Sequence, residues 1–289
     1  MKNTQLFLTG ITTIALLTGG CSDLKDTLPP VAENTGVHPA GWLTKTSADF
    51  HGNAIRNQGW DMRPCRTCHG SSYTGGTSMV SCRTCHTEVL GPEHCNVCHG
   101  SASNSAPPRD LSGNTDKSFR GVGQHQVHVM GTARTAPVGC STCHVLPAGD
   151  IYDPNHIDAN PGQAEVNMTG LAAKRTAGAT PVPVYYTQST ACGNTYCHGQ
   201  FKNGNGDNPM FWVGGAALSG ACGSCHGDVS RPTLAERALP KTAAQGGTHP
   251  NNLNCANCHG DVVNASLQFV DPSKHVNGYL NVFGQVREF

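Results

Sequence analysis

The sequence predicts a mostly irregular fold with short helices and few short strands, in which bound groups replace much of the usual apolar core. The 289 residues include 35 glycines and 18 prolines, and only 13% are charged, which disfavours long helices and extended sheets. The apolar set makes up 37%, but 15 of those residues are cysteines. Fifteen histidines accompany them, which indicates a metal or cofactor protein, with a disulfide scaffold as the alternative.

The charge balance argues against one class of partner. The 19 lysines and arginines offset the 19 aspartates and glutamates, so the chain has no formal net charge. Neither a basic surface for nucleic acid nor an acidic tail is indicated. We therefore expect no nucleic-acid partner.

The N-terminus has the features of an export signal. A basic start at Lys2 precedes an apolar run over residues 6–17, which has the length of a signal-peptide core and is too short to span a membrane. The run ends in Gly19-Gly20-Cys21-Ser22, which resembles a bacterial lipoprotein cleavage site. We predict a lipoprotein signal peptide over residues 1–20, and a lipidated Cys21 with a flexible tether over residues 21–36. A soluble signal peptide followed by a chance cysteine is the alternative.

The other fourteen cysteines form seven pairs, and a histidine directly follows each pair. Six pairs have the spacing C-x-x-C-H and one has C-x-x-x-x-C-H. The motifs are Cys65/Cys68-His69, Cys82/Cys85-His86, Cys95/Cys98-His99, Cys140/Cys143-His144, Cys192/Cys197-His198, Cys222/Cys225-His226 and Cys255/Cys258-His259. C-x-x-C-H is the attachment motif of c-type haem, in which two thiols bond the macrocycle and the histidine is the proximal iron ligand. The sequence therefore predicts seven covalently bound haem c groups and no catalytic residues.

Other uses of paired cysteines fit this pattern less well. Structural zinc sites usually take their third and fourth ligands far from the first pair, whereas here the histidine is adjacent. A disulfide framework does not need that histidine, and a thioredoxin-like motif is expected among alternating strand and helix patterns. The predicted fold class is accordingly a mostly irregular multihaem cytochrome c fold, organised around a stacked chain of covalent haems.

The histidines outside the motifs match the number of distal iron ligands that seven haems need. Seven are predicted to ligate iron: His38, His51, His125, His128, His156, His249 and His275. The eighth, His94, directly precedes Cys95 on the proximal side of its own haem and is the surplus candidate. His125 and His128 are three residues apart, so on one helical turn they would point towards two adjacent haems. Methionine is the rival distal ligand.

The spacing of the motifs divides the chain. Residues 37–100 form an N-terminal three-haem segment, residues 101–123 a linker by composition, and residues 124–289 a C-terminal four-haem segment. A short helix is predicted over residues 232–239, with Pro232 in its first turn. A turn and a strand are predicted within residues 277–286.

Residues 37–280 resemble the multihaem c-type cytochromes of metal-reducing bacteria, whose repeats join C-x-x-x-x-C-H to a later C-x-x-C-H. The residues that carry the resemblance in the second half are Cys192 to His198, Cys222 to His226, His249-Pro250, Cys255 to His259 and His275-Val-Asn-Gly278. The first half is similar to the companion pattern through His38-Pro-Ala-Gly-Trp42, His51-Gly52, Cys65 to Gly70, Tyr73-Thr-Gly-Gly76 and Ser81-Cys82. The resemblance implies haems with two histidine ligands that pass electrons across or outside the outer membrane. It supports six of the distal candidates and leaves His38 as a further candidate; the six are His51, His125, His128, His156, His249 and His275.

Together these features predict an electron carrier and not an enzyme. We expect an exported seven-haem lipoprotein that acts as an electron conduit at the cell surface or the periplasmic face of the outer membrane, in extracellular electron transfer and metal reduction. Its expected partners are other multihaem cytochromes or an outer-membrane porin, acceptors such as metal oxides, and the membrane through the lipid anchor. Two alternatives stay open: a subunit of a polymeric extracellular cytochrome filament formed by self-association, and a multihaem reductase with one open haem.

Overall fold

The computed structural model describes residues 36–101, 109–157, 164–174, 182–206, 210–214 and 221–288. The predicted signal peptide, Cys21 and all of the predicted tether except its last residue lie outside the described residues. The chain divides into two compact units, Met1–Ala54 and Ile55–Phe289. The predicted division into haem segments around residues 101–123 stays a prediction, since residues 102–108 are also outside the described part.

The described part of the first unit is organised around Trp42. The Trp42 carbonyl accepts hydrogen bonds from the backbone N–H of His51 and from its ring Nδ1, at 2.9 and 2.8 Å. The ring of His38 stacks on the Trp42 indole, with the ring centroids 4.1 Å apart and the planes 8° from parallel. Trp42 therefore contacts two of the predicted distal ligands.

The helices in the described residues are short. The α-helices are α1 His51–Asn57, α2 Arg66–His69, α3 Cys95–Cys98, α4 His125–Met130, α5 Leu234–Ala238 and α6 Ala256–His259. Single 3₁₀ turns occur at Arg63–Cys65, Gly76–Ser78, Cys82–Thr84, Gly91–Glu93, Cys140–Thr142, Tyr196–His198, Ala243–Gln245 and Pro272–Lys274. Within the described ranges, none of the helices has the length and apolar character that a bilayer-spanning segment needs.

Two small antiparallel sheets complete the regular structure. In the first, the strands β1 Val184–Tyr186, β2 Ala191–Gly193 and β3 Met210–Phe211 lie in the order β1-β2-β3. Its central strand contains Cys192, which pairs with Tyr185 on one side and Met210 on the other. In the second sheet, β4 Leu280–Val282 pairs with β5 Gln285–Arg287. The first cysteine of the wide motif is thus held by backbone pairing on both sides.

Two local predictions can be compared with the structure. The strand predicted within residues 277–286 is a hairpin of two strands, because Phe283 and Gly284 both have positive φ, at 52° and 71°, as a two-residue hairpin turn requires. The helix predicted from Pro232 begins two residues later, at Leu234. Its N-cap is Thr233, which forms a capping box with Glu236, so Pro232 precedes the cap and the placement of Pro232 in the first turn was wrong.

The apolar core of the described residues is very small. Six apolar side chains are buried: Met62, Tyr73, Val122, Ala172, Tyr196 and Val262. No large side chain among the described residues is less than 2% exposed. The mostly irregular fold with short helices and few short strands is confirmed, whereas the stacked chain of haems stays a prediction.

Candidate haem-binding sites

Most of the cysteine motifs close into single helical turns. In four of them the backbone N–H of the histidine donates to the carbonyl of the first cysteine, at 2.8 to 3.0 Å. These bonds run from His86 to Cys82, His99 to Cys95, His144 to Cys140 and His259 to Cys255. Because residues i and i+4 share one face of a helical turn, the histidine returns to the side of the first thiol. This is the arrangement that attachment of one macrocycle by both residue types requires.

The wide motif also ends in a helical turn, but its backbone conformation before that turn is different. Cys192 is extended in β2, whereas Tyr196–His198 forms a 3₁₀ turn. Asn194, between them, has a positive φ of 58°, and its side-chain amide donates to the carbonyl of Val182 at 3.2 Å. The two additional residues of this motif therefore form the bend that joins a strand to a helical turn.

The thiols are free and several are half-buried. None of the fourteen described cysteines forms a disulfide. Burial raises the pKa of Cys98 and Cys192 to about 11 and that of Cys197 to about 12. Such surroundings disfavour the thiolate that zinc binding needs, and they suit a thiol that becomes a neutral thioether.

Other motif cysteines lie in more open surroundings, so the seven sites are not equivalent in the structure. In the first two motifs the second cysteines, Cys68 and Cys85, are exposed, and in the last motif Cys258 is half-buried. Cys95 and Cys140 are also exposed. The polypeptide alone does not enclose the four exposed thiols. Attachment of haem by each of the fourteen motif cysteines, Cys68, Cys85 and Cys258 included, stays a prediction from the spacing of the motifs.

Five motif histidines each lie beside one histidine from outside the motifs. The ring-centroid distances are 5.9 Å for His99–His156, 6.1 Å for His144–His125, 6.0 Å for His198–His128, 6.5 Å for His226–His275 and 6.3 Å for His259–His249. A metal held between two imidazole nitrogens, each at about 2 Å, separates the ring centroids by about 6 Å. Each pair therefore has the spacing of two axial ligands on one iron.

The hydrogen bonds of the histidine rings select the metal-binding tautomer. In ten of the described histidines the ring Nδ1 lies 2.6 to 3.0 Å from a backbone carbonyl. These are His51, His69, His125, His128, His144, His156, His226, His249, His259 and His275. A carbonyl only accepts, so Nδ1 carries the proton and Nε2 keeps its lone pair. Histidine ligands of metals are oriented in the same way.

Burial keeps several of the paired histidine rings neutral. Burial lowers the pKa of His125, His198 and His226 to about 4. It also lowers the pKa of His99 and His275. A neutral imidazole is the form that ligates iron, so the surroundings of these five rings favour ligation.

A cleft next to the His226–His275 pair has the features of a haem pocket. Its volume is about 570 Å³, and its lining includes Cys222, Phe269 and Arg134. The Phe269 ring lies 4.6 Å from His275, and the Arg134 carbonyl accepts the Nδ1–H of His275 at 2.9 Å. The cleft thus combines an attachment thiol, an apolar wall and a cationic side chain, which fits a flat macrocycle with carboxylate substituents. The described residues contain no group of three or more His, Cys, Asp and Glu side chains that suits a metal ion without such a macrocycle.

His94 differs from the other histidines in its hydrogen bond. It is the N-cap of α3, and its Nδ1 accepts the backbone N–H of Asn96 at 3.3 Å. Nδ1 therefore lacks a proton, and in the neutral ring Nε2 carries it. This tautomer is the opposite of the one that eight of the ten paired histidines adopt, which supports the prediction that His94 is the surplus histidine.

The remaining predicted ligands are only partly defined. His38 and His51 belong to the first unit, where both contact Trp42, and their role as distal ligands stays a prediction. His69 hydrogen-bonds through Nδ1 to the Val80 carbonyl at 2.8 Å. Which histidines are the distal ligands of the haems at His69 and His86 stays unassigned, and the total of seven haems stays a prediction.

A charged cluster that no sequence motif predicts links distant segments of the second unit. The carboxylate Oε1 of Glu93 accepts hydrogen bonds from Arg66 at 2.6 Å, from the Tyr73 hydroxyl at 2.6 Å and from the Tyr152 hydroxyl at 2.8 Å. Glu93 lies two residues before Cys95, where the third motif begins, and Tyr152 lies four residues before His156. The cluster therefore ties the loop of His156 to the segment that carries His99. No local pattern indicates it, because its members are far apart in sequence.

Replacing Glu93 with alanine is expected to lower the free energy of unfolding by about 2–4 kcal/mol, because it removes an acceptor shared by three donors. Chemical denaturation of the haem-loaded protein measures this change. Asp228→Ala removes an exposed carboxylate that pairs with Arg231 at 3.1 Å and is the matched control, expected to leave the free energy of unfolding almost unchanged. Equal denaturation midpoints for the two variants would contradict a stabilising role for the cluster.

The comparison with protein families agrees with the geometry. Residues 191–226 match the family model described as the Geobacter CxxxxCH...CXXCH motif. The match covers the wide motif and the motif after it, including Cys192, Cys197, Cys222 and Cys225. No curated protein and no solved structure shows significant similarity to the chain.

These observations define the class of the protein as a multihaem c-type cytochrome. Residues 191–226 contain the paired motifs that this family model describes. Covalent binding of haem c and a role in electron transfer follow from the presence of these motifs.

Proposed function

We propose that the chain is an electron conduit that binds seven haem c groups and holds each iron between two histidines. The observation that carries this proposal is the set of five histidine pairs with ring centroids 5.9 to 6.5 Å apart, each joining a motif histidine to a histidine from elsewhere in the chain. When bound, the haems supply the one-electron chemistry. Two protein ligands on each iron leave no position for a substrate, which favours an electron carrier over an enzyme.

Helix α4 brings two of the proposed sites together. His125 pairs with His144 of the fourth motif, and His128 pairs with His198 of the wide motif. Residues three apart on a helix have their Cβ atoms about 5–6 Å from each other. In this proposal the two sites share one helix as the source of their distal ligands, which supports a short path for electrons between them.

The wide motif also abuts the next motif along the chain. A Cβ at Gly199, where φ is +101°, would lie 2.6 Å from the Asn205 carbonyl oxygen and 3.1 Å from that of Cys225. The Asn205 N–H donates to the Cys225 carbonyl at 2.9 Å, and the Cys225 thiol lies 4.0 Å from the Cys197 carbonyl oxygen. Only glycine permits this approach. The contact supports an order in which the fourth, fifth and sixth sites are neighbours.

The proposed location rests on the N-terminal sequence. A lipid on Cys21 and the export signal before it favour an outer-membrane lipoprotein, at the cell surface or on the periplasmic face. The haem carboxylates would add negative charge to a chain without net charge, which favours cationic or mineral surfaces as acceptors. Other multihaem cytochromes or an outer-membrane porin are the proposed partners within the cell envelope.

The test of the proposed function is a count of haems together with their spin states. Pyridine haemochrome absorbance of the purified protein is expected to give seven haems per chain, and electron paramagnetic resonance is expected to show only low-spin iron. After reduction, carbon monoxide should leave the optical spectrum unchanged. A carbon-monoxide-binding fraction equal to one haem would favour the reductase alternative, and filaments under electron microscopy would favour the polymeric one. Fractionation of cells should place the protein in the outer membrane.

A further inference from the structure

The indole of Trp212 contacts the distal histidines of two different sites. Its ring centroid lies 4.6 Å from that of His125, in an edge-to-face arrangement with an 89° angle between the planes. It lies 5.9 Å from the centroid of His128, with a 31° angle. These two imidazoles belong to separate pairs, with His144 and with His198. One aromatic side chain therefore contacts the distal ligands of two neighbouring sites.

The position of the Trp212 ring is fixed from several directions. Its indole N–H donates to the Arg120 carbonyl at 2.6 Å, and its backbone N–H donates to the Thr190 carbonyl at 2.6 Å. A Cβ at Gly123, where φ is +42°, would overlap the indole ring, so the backbone packs directly against it. Trp212 also directly follows β3, which pairs with the strand that contains Cys192. The ring is thus anchored both to an attachment strand and to the segment that leads into α4.

The two sites differ in the orientation of their histidine planes. The rings of His125 and His144 are 22° from parallel, whereas those of His128 and His198 are at 80°. Low-spin ferric haems with nearly perpendicular imidazoles give electron paramagnetic resonance signals with a large maximal g value, and nearly parallel imidazoles give ordinary rhombic signals. Rotation about the iron–nitrogen bond is soft, so the groups packed against each ring decide its plane.

We propose that Trp212 is a positioning residue that holds the planes of His125 and His128, and thereby gives two neighbouring haems different electronic properties. This inference rests on the proposed haem ligation. The Nδ1–H bonds of the two rings, to the carbonyls of Val122 at 3.0 Å and Gln124 at 2.9 Å, hold one edge of each ring. Contact with the indole restricts the rotation that one hydrogen bond leaves open.

The test is electron paramagnetic resonance of the haem-loaded Trp212→Leu and Trp212→Phe variants. Trp212→Leu removes the aromatic contact, and the large-g signal of one haem together with the rhombic signal of another is expected to shift. Trp212→Phe keeps a smaller ring but loses the bond to Arg120, so its shift should be intermediate. Phe211→Leu, a change at the exposed last residue of β3, directly before Trp212, is the matched control and should leave both signals in place.

The haem count and the carbon monoxide test separate this inference from the proposed function. If all haems stay attached, low-spin and inert to carbon monoxide while the electron paramagnetic resonance signals shift, both the histidine ligation and the role of Trp212 hold. Signals identical to those of the unchanged protein in Trp212→Phe would overturn the role of Trp212 and leave the histidine ligation intact. If Trp212→Leu does not fold, Trp212→Phe alone decides, because it preserves most of the packed volume. An open iron in the unchanged protein would instead remove the basis of both.

Discussion

Replacing His275 with alanine is expected to turn one haem of the chain from inert to reactive with carbon monoxide. His275 lies 6.5 Å from His226 by ring centroids, and its Nδ1 is bonded to the Arg134 carbonyl, so its Nε2 is the proposed distal ligand. The thiols of Cys222 and Cys225 are unaffected, so the haem should stay attached. Carbon monoxide titration of the reduced variant should reveal about one reactive haem per chain, and electron paramagnetic resonance of the oxidised variant should show a new high-spin signal.

His94→Ala is the matched control for that experiment. Its Nδ1 caps α3 and its neutral ring carries the proton on Nε2, so no iron should lose a ligand. We expect an unchanged haem count, only low-spin iron and no reaction with carbon monoxide. An open iron in His94→Ala, or a wholly low-spin and inert His275→Ala variant, would show that the proposed assignment of these two histidines is wrong.

The chain without its haems is expected to lose cooperative folding altogether. Only six apolar side chains are buried in the described residues, and no large one is less than 2% exposed. This packing is too small to offset the conformational entropy of ordering a chain of this length, so the attached macrocycles must supply most of the apolar contact. Removal of the haems is therefore expected to abolish the whole of the folding free energy.

Expression without haem attachment, in the presence of a reductant, provides the material for this test. The haem-free chain is expected to show poorly dispersed nuclear magnetic resonance signals, fast amide exchange and no sigmoidal thermal transition, whereas the haem-loaded protein should melt cooperatively. The reductant in both samples removes disulfide formation among the free thiols as a cause of any difference. A cooperative transition of the haem-free chain would mean that the polypeptide packs more firmly than its buried side chains indicate.

Much of the site chemistry could be predicted from residue types and spacing. The turns at Cys95–Cys98 and Cys140–Thr142, and the helix that presents His125 and His128, are local structures that depend on neighbouring residues. The start of the helix near Pro232 was placed too early, because the capping box of Thr233 and Glu236 outweighs the preference of proline for the first turn. The hairpin at Phe283 and Gly284 was expected only as a turn and a strand, since its second strand is defined by pairing.

The surroundings of the attachment thiols could not be predicted in the same way. The motifs have nearly the same spacing, yet Cys68 and Cys85 are exposed, whereas Cys197 is half-buried and burial raises its pKa to about 12. Spacing fixes the geometry within one turn, whereas burial depends on which other segments pack over that turn.

The sequence by itself determined the attachment motifs, the predominance of irregular structure and the pool of histidines from which distal ligands are drawn. Only the tertiary structure decided which histidine faces which motif, as in His156 with His99 and His249 with His259. It also brought Glu93 to Tyr152, and Trp212 to His125 and His128. The physical reason is that a motif records contacts within one turn of the chain. A histidine pair such as His99 with His156 joins residues whose separation in sequence is set by the path of the whole fold.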